Sequence, residues 1–230
     1  MRTVVFKFVI GLYAFIFNAL SSYSQDIKTV AEALNRIEVS KPPYRDTKNV
    51  LRPYGRIFPN NISGISDKIY NDLQNEKIVY HAYVDTDFEP SLYWRYKVSD
   101  TDFQLGVLSF GGTTDWRIDR MFVSDQSGAV KDCIDVVSGI FGREFLAVLQ
   151  YELTTDYKII TYRLVPTSSK IIMYDEILGE DDESRTVECY RLDTTYRINS
   201  SGLFEKESEQ KHPVKAYTVK EMYEKNVWEL

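Results

Sequence analysis

Carboxylates are the side chains of this sequence that come nearest to a catalytic constellation. Asp132 and Asp135 fall within one predicted strand, and Asp119 could meet Glu176 across strands. Paired carboxylates hydrolyse glycosides when they are held roughly 5–10 Å apart. Asp132 and Asp135 are an odd number of residues apart, so a regular strand places them on opposite faces. Hydrolysis by a carboxylate pair is therefore an alternative function, and no catalytic residue is assigned.

Histidine is scarce, because the chain contains only two, His81 and His212. Neither belongs to a zinc-binding spacing, and the sequence has no Gly-x-Ser-x-Gly elbow. A nucleophilic Ser or Cys needs a histidine beside it. We expect no metal ion, no cofactor and no such nucleophile. The four carboxylates at 180–183 predict a solvated loop, with weak Ca²⁺ binding as the alternative.

Aromatic side chains are abundant, with 17 Tyr, 12 Phe and 3 Trp. Exposed rings can stack on sugars or anchor protein partners. Alternation within 92–98 places Leu92, Trp94 and Tyr96 on one face and predicts that Trp94 belongs to the core. Tyr44 and Tyr54 lie in proline-rich segments with no strand to bury them. They are the candidate ligand-binding residues.

The N-terminus has the pattern of a signal peptide. Arg2 and Lys7 precede an uncharged run over 8–20, which is shorter than the roughly 20 residues that a membrane-spanning helix needs. Ser22 and Ser24 supply the small side chains of a cleavage site, so we expect removal of residues 1–24. The alternative is an uncleaved membrane helix. The predicted localisation is periplasmic or extracellular.

The charge balance excludes two classes of partner. The net charge is −6, and removal of Arg2 and Lys7 would make it about −8. Binding to nucleic acid or to anionic membrane surfaces depends on neutralising phosphates. We therefore expect neither nucleic acid nor a membrane as a partner of the mature chain.

The chain has two cysteines, Cys133 and Cys189, each within a predicted strand. In an exported protein they can form a disulfide, and two buried free thiols are equally compatible with a core of this size. Both alternatives remain open. In either case a hydrophobic core must stabilise the domain.

Short apolar and aromatic runs separated by polar turns dominate from Lys77 onward, which is typical of strands. The predicted strands are Ile78–Val84, Leu92–Val98, Phe103–Phe110, Trp116–Val123, Ala129–Val137, Glu144–Glu152, Tyr157–Val165, Lys170–Glu176, Arg185–Ile198 and Gly202–Ser208. Helices are predicted over Ile27–Ile37, within Ser63–Glu76 and after the capping box Thr218–Glu221.

Short connections favour neighbouring antiparallel strands, because parallel pairs need long crossovers. The predicted fold is an all-β antiparallel meander, closed as a barrel, a sandwich or a strongly twisted sheet, with short N- and C-terminal helices. The sequence predicts one β-rich domain over 25–230, on which the helix and loop part at 25–76 packs.

Several strand-turn-strand segments carry a resemblance. The Ser24-Gln25 junction, the Pro-Tyr segments, residues 121–132 and residues 195–204 together resemble small exported proteins of unknown function from Bacteroidetes. The similarity covers most of the predicted mature chain. It implies an envelope or extracellular setting and brings no catalytic residue.

We therefore expect a non-enzymatic binding or interaction module of the cell envelope, with a glycan or another envelope protein as its partner. Alternatives are a carboxylate-pair glycoside hydrolase and an inhibitor or immunity-type protein whose acidic surface masks a basic partner.

Overall fold

The computed structural model describes residues 30–48, 56–57, 91–111, 116–141, 145–167 and 185–230. Several predicted features lie outside these residues, namely the signal segment, Tyr54, His81, Glu176, the acidic loop at 180–183, the helix within Ser63–Glu76 and the strands Ile78–Val84 and Lys170–Glu176.

The described chain is mostly β-structure. Its strands are β1 (Tyr44–Arg45), β2 (Arg56–Ile57), β3 (Ser91–Lys97), β4 (Gln104–Gly111), β5 (Trp116–Ser124), β6 (Val130–Phe141), β7 (Phe145–Leu153), β8 (Ile159–Pro166), β9 (Thr186–Ile198), β10 (Phe204–Lys211) and β11 (Lys215–Thr218). Its helices are α1 (Val30–Asn35) and α2 (Val219–Glu224), followed by a 3₁₀ helix (Val227–Glu229). Within the described residues, no helix has the length and apolar character needed to cross a membrane.

The strands of the described residues all belong to one sheet, in which β2 to β10 follow one another in chain order. The ten pairings among these eleven strands are all antiparallel. Two strands lie off this path, since β1 pairs with β7 and β11 pairs with β9. The predicted antiparallel meander is confirmed.

The sheet curls around one hydrophobic cluster that contains side chains from each strand from β3 to β10, among them Tyr96, Met121, Tyr151 and Phe204. At one end the β9–β10 turn reaches back to β6, where the Phe204 N–H donates to Asp132 Oδ2 at 3.0 Å. β2 and β10 remain the two ends of the strand path. Within the described residues the sheet is therefore not closed, which is consistent with a twisted sheet or a sandwich.

Two further clusters pack helical segments onto the sheet. Leu34 of α1 contacts a cluster that includes Leu108 and Phe122, and α2 and the 3₁₀ helix pack on a cluster formed with β7, β8 and β9. The predicted capping box is present: Thr218 accepts from the Glu221 N–H, and the Glu221 carboxylate accepts from the Thr218 N–H. Each helix is short and gains its stability from this packing.

The structure differs from the predictions in local details. The helix predicted over Ile27–Ile37 is seen from Val30, the first described residue of this segment, and ends at Asn35. The short strands β1, β2 and β11 were not predicted. A bulge between Leu92 and Trp94 shifts the register of β3 against β4. Leu92 therefore joins the cluster under α1, whereas Trp94 and Tyr96 face the interior of the curled sheet. The prediction that all three share one face is wrong for Leu92.

The two cysteines are free thiols. Cys133 follows Asp132, which accepts from the N–H of Phe204, the cross-strand partner of Ile198 at one end of β9. Cys189 lies nine residues away from Ile198 along β9. At about 3.3 Å per residue that separation is roughly 30 Å, and a disulfide needs Cα atoms within about 7 Å. Of the two alternatives the structure has the free thiols, and burial raises the pKa of Cys189 to about 11.

The β5–β6 turn is organised by Asp125. Its Oδ1 accepts from the backbone N–H groups of Ser127 (2.9 Å) and Ala129 (3.0 Å), and its Oδ2 lies 2.8 Å from Lys131 Nζ. Gly128 has φ +85°, and a Cβ there would lie 2.5 Å from the Ala31 backbone nitrogen. The turn therefore needs glycine both for its backbone conformation and for contact with α1.

Protonation of Asp125 should destabilise the protein. The hydrogen bond with Lys131 is the largest cause that holds the pKa of Asp125 well below its usual value, followed by the hydrogen bond with Ser127. A lowered folded-state pKa contributes stability above the unfolded-state pKa of about 4 and loses it as the pH falls further. Urea unfolding at pH 7 and at acidic pH should show a smaller acid loss for Asp125→Asn than for wild type.

Asp100→Asn is the control, because it removes one negative charge from a different exposed turn. Equal acid losses for wild type and Asp125→Asn would contradict this account of the turn.

Candidate functional site

The buried charges of the sheet interior centre on Arg117. Its Nε and Nη2 donate to Asp119 Oδ1 (3.0 Å) and Oδ2 (2.9 Å), and Nη2 also lies 3.1 Å from Asp46 Oδ1. Asp46 and Asp119 are fully buried, and Arg117 is nearly so. Buried charges are tolerated only when their hydrogen bonds are satisfied, because desolvation is costly.

Two amide side chains extend this arrangement to the C-terminal segment. Gln150 Nε2 donates to Asp46 Oδ2 (3.2 Å) and to Asn226 Oδ1 (3.3 Å), while Gln150 Oε1 accepts from the Val227 N–H (2.8 Å). We call Asp46, Arg117, Asp119, Gln150 and Asn226 the Arg117 centre. It joins β1, β5 and β7 to the segment that carries the 3₁₀ helix.

Asp119, one of the carboxylates that the sequence singled out, is engaged by Arg117 within the Arg117 centre. Asp132 is occupied by backbone N–H groups of Cys133 (2.8 Å) and Phe204 (3.0 Å). Asp135 Oδ1 lies 2.6 Å from Arg120 Nε, so its partner differs from those of Asp119 and Asp132. Each of these three carboxylates has its own partners, and the structure does not bring any two of them together as a catalytic pair. Their contacts stabilise the fold.

A second group of charged side chains lies nearer the surface, beside the C-terminal segment. Arg191 Nε and Nη2 donate to Asp193 Oδ1 (2.9 Å) and Oδ2 (3.1 Å), and Arg191 Nη1 donates to the Trp228 backbone oxygen (3.1 Å). His212 Nε2 lies 2.7 Å from Asp193 Oδ2. This arrangement repeats the arginine–aspartate pairing of the interior at a half-buried position.

Aromatic rings adjoin these charges. The Arg45 guanidinium lies 4.8 Å from the centre of the Trp228 ring and forms an ion pair with Glu152. The Tyr162 hydroxyl donates to Glu152 Oε2 (3.1 Å), and Tyr162 is the cross-strand partner of Asp193. We call the combined surface the C-terminal band; it consists of Arg45, Glu152, Tyr162, Arg191, Asp193, His212 and Trp228.

The phenol of Tyr162 is held in its protonated form. Burial raises its pKa to about 12, with further contributions from the charge of Glu152 and from the hydrogen bond to it. At neutral pH the hydroxyl therefore acts as a hydrogen-bond donor, because a nucleophilic phenolate would need a lowered pKa.

Tyr44, one of the two candidate ligand-binding residues, lies within the described residues and packs beside the core. Its ring centre lies 5.1 Å from that of Trp94 and 5.3 Å from that of Tyr151, and the residue is half-buried. Pairing of β1 with β7 produces this placement, which proline-rich sequence did not indicate. Trp94 packs against the core as predicted. Tyr162 and Trp228, neither of which was predicted, are half-buried like Tyr44, and they differ from it in lying beside the charged side chains of the C-terminal band.

A sequence signal for both charged groups exists. Arg-x-Asp occurs at Arg117–Asp119 and at Arg191–Asp193, and the period of two places both side chains on one face of a strand. The fork of guanidinium donors then matches the carboxylate in a bidentate pair. The signal locates the ion pairs, but it does not tell which one is buried.

Within the described residues, no group of three or more His, Cys, Asp or Glu side chains could hold a metal ion.

Loss of the Arg117 guanidinium should be severely destabilising. Arg117→Met leaves two buried carboxylates without their shared cation, and breaking a buried pair in this way costs about 3–5 kcal/mol. The matched control is Arg197→Met, because the Arg197–Glu205 pair is half exposed and such pairs contribute about 0–1 kcal/mol. Urea denaturation measures both. Equal losses in the two variants would contradict the role given to the Arg117 centre.

The sequence matches no protein-family model, and no curated protein or solved structure is significantly similar to it.

Proposed function

We propose that this protein is an exported, non-enzymatic binding module of the cell envelope that binds a glycan at the C-terminal band. The observation that carries the proposal is the juxtaposition of the Trp228 and Tyr162 rings with paired planar charged groups on a partly accessible surface. Rings pack on the apolar faces of sugars, while carboxylates and guanidinium groups bond to hydroxyls.

Preorganisation supports this assignment. The Glu152 carboxylate is oriented by Arg45 and by the Tyr162 hydroxyl, and Asp193 is oriented by Arg191. Groups that are already fixed lose little conformational entropy when a ligand binds. The C-terminal band therefore presents hydrogen-bonding groups at fixed positions on a rigid sheet.

Binding is favoured over hydrolysis by the chemistry of the same groups. A catalytic acid is a carboxyl kept protonated in apolar surroundings, whereas Glu152 and Asp193 each face a guanidinium. The Tyr162 phenol has a raised pKa, which opposes its use as a nucleophile. The geometry thus suits recognition of a ligand rather than its cleavage.

Export is part of the proposal because of the pattern in residues 1–24, which lie outside the described residues. The charged start, the uncharged run and the small residues at the predicted cleavage site support it.

Glycan binding and its location can be tested together. The full chain is expressed with its N-terminal segment, the exported product is purified, and its intact mass is expected to correspond to a start at Gln25. Screening that product on immobilised polysaccharides should yield saturable binding. Trp228→Ala should weaken it by about tenfold or more, which corresponds to about 1.4 kcal/mol, and Tyr162→Phe should weaken it to a smaller extent.

Tyr93→Phe serves as the control for removal of a tyrosine hydroxyl, since Tyr93 lies on β3, remote from β8 in the strand order. Circular dichroism verifies that each variant is folded. Saturable binding that Trp228→Ala and Tyr162→Phe leave unchanged would place the site elsewhere, and binding to none of the polysaccharides would overturn the proposed function.

A further inference from the structure

We infer that the C-terminal band selects neutral, hydroxyl-rich glycans and discriminates against polyanionic ones; this inference rests on the proposed function. It is carried by the internal charge balance of the band. Each of its two guanidinium groups is already matched by a carboxylate, Arg45 by Glu152 and Arg191 by Asp193. The formal charges of these two guanidinium groups and two carboxylates sum to zero.

An anionic ligand would have to compete for a guanidinium that is already engaged. Both Arg191 donors that face Asp193 are used, at 2.9 and 3.1 Å, and a third donates to the Trp228 backbone oxygen. Withdrawing Arg191 would leave the half-buried carboxylate of Asp193 without its cation, which is costly. A ligand carboxylate or sulfate therefore gains little from this site.

A ligand hydroxyl can bind without displacing a carboxylate from its guanidinium. It can donate to a free lone pair of Glu152 or Asp193 and can accept from an unused N–H of Arg45 without separating the ion pair. Each carboxylate has about four acceptor positions, and Asp193 uses three contacts in the described structure. The band thus offers donors and acceptors in the mixture that a polyhydroxylated ring presents.

The charge of the whole chain acts in the same direction. A net charge of −6 repels polyanions beyond contact distance. Salt screens this repulsion with a Debye length of about 10 Å at about 0.1 M. Neutral glycans are unaffected by it.

Polysaccharides with one backbone and two charge states provide the most direct test. Polygalacturonate and its methyl-esterified form are compared with neutral glucans and with heparin, using the exported product of the full chain at low and high ionic strength. Neutral polymers should bind at least about tenfold more tightly than anionic ones, with affinities that change little with salt.

Asp193→Asn should then gain affinity for polygalacturonate and heparin, because it frees Arg191 for an anion. Glu205→Gln is the matched control, since it also converts one carboxylate to an amide, but on the exposed edge strand β10. A gain in anion binding by both variants would indicate a change in net charge alone and would contradict the role of the Arg191–Asp193 pair.

The outcomes separate this inference from the proposed function. Tighter binding of anionic than of neutral polymers by wild type would overturn the charge selectivity while leaving glycan binding intact. Binding of none of the polymers would overturn the proposed function and the inference with it. Neutral preference, together with a gain for Asp193→Asn that Glu205→Gln lacks, supports both.

Discussion

The Arg117 guanidinium, placed between two fully buried carboxylates, is the interaction on which the rest of this structure depends. Asp119 lies on the same strand, whereas Asp46 comes from an N-terminal segment that is distant in sequence. A buried ion group adds little net stability compared with apolar side chains, but it strongly disfavours arrangements that leave a charge unpaired. Its effect is therefore to fix where β1 must lie.

Fixing β1 has consequences at the surface. Next to Asp46, Arg45 reaches the Trp228 ring, and the Trp228 indole N–H donates to the Asp46 backbone oxygen at 3.3 Å. Gln150 holds the 3₁₀ helix through the Val227 N–H. The buried charges thus position the rings and charges of the C-terminal band, so the fold and the candidate site share one set of contacts.

Local sequence pattern predicted most of the regular structure, because alternation and capping depend on residues close together in the chain. The strand at Trp116, the turn at Asp125 and the capping box at Thr218 follow from that pattern. The local pattern could not predict the bulge beside Leu92, because a bulge depends on how one strand fits its neighbour. Pairing of β1 with β7 was equally inaccessible, because it depends on contacts between residues distant in sequence.

The same distinction applies to the candidate site. The Arg-x-Asp spacing could have indicated both ion pairs, but only the assembled sheet shows that one is buried and the other partly exposed. Tyr44 was selected for lacking a strand of its own, and a two-residue strand then placed its ring against the core. Trp228 belongs to the site through its docking on β1, for which its neighbouring residues give no signal.

The central claim is that the buried charges couple two segments from opposite ends of the chain, and native-state hydrogen exchange tests it most directly. Asp46→Asn should accelerate exchange of the Val227 amide by about tenfold or more, equivalent to about 1.4 kcal/mol, while the Val107 amide in the middle of the sheet changes much less. Unchanged exchange at Val227 in this variant would contradict the account.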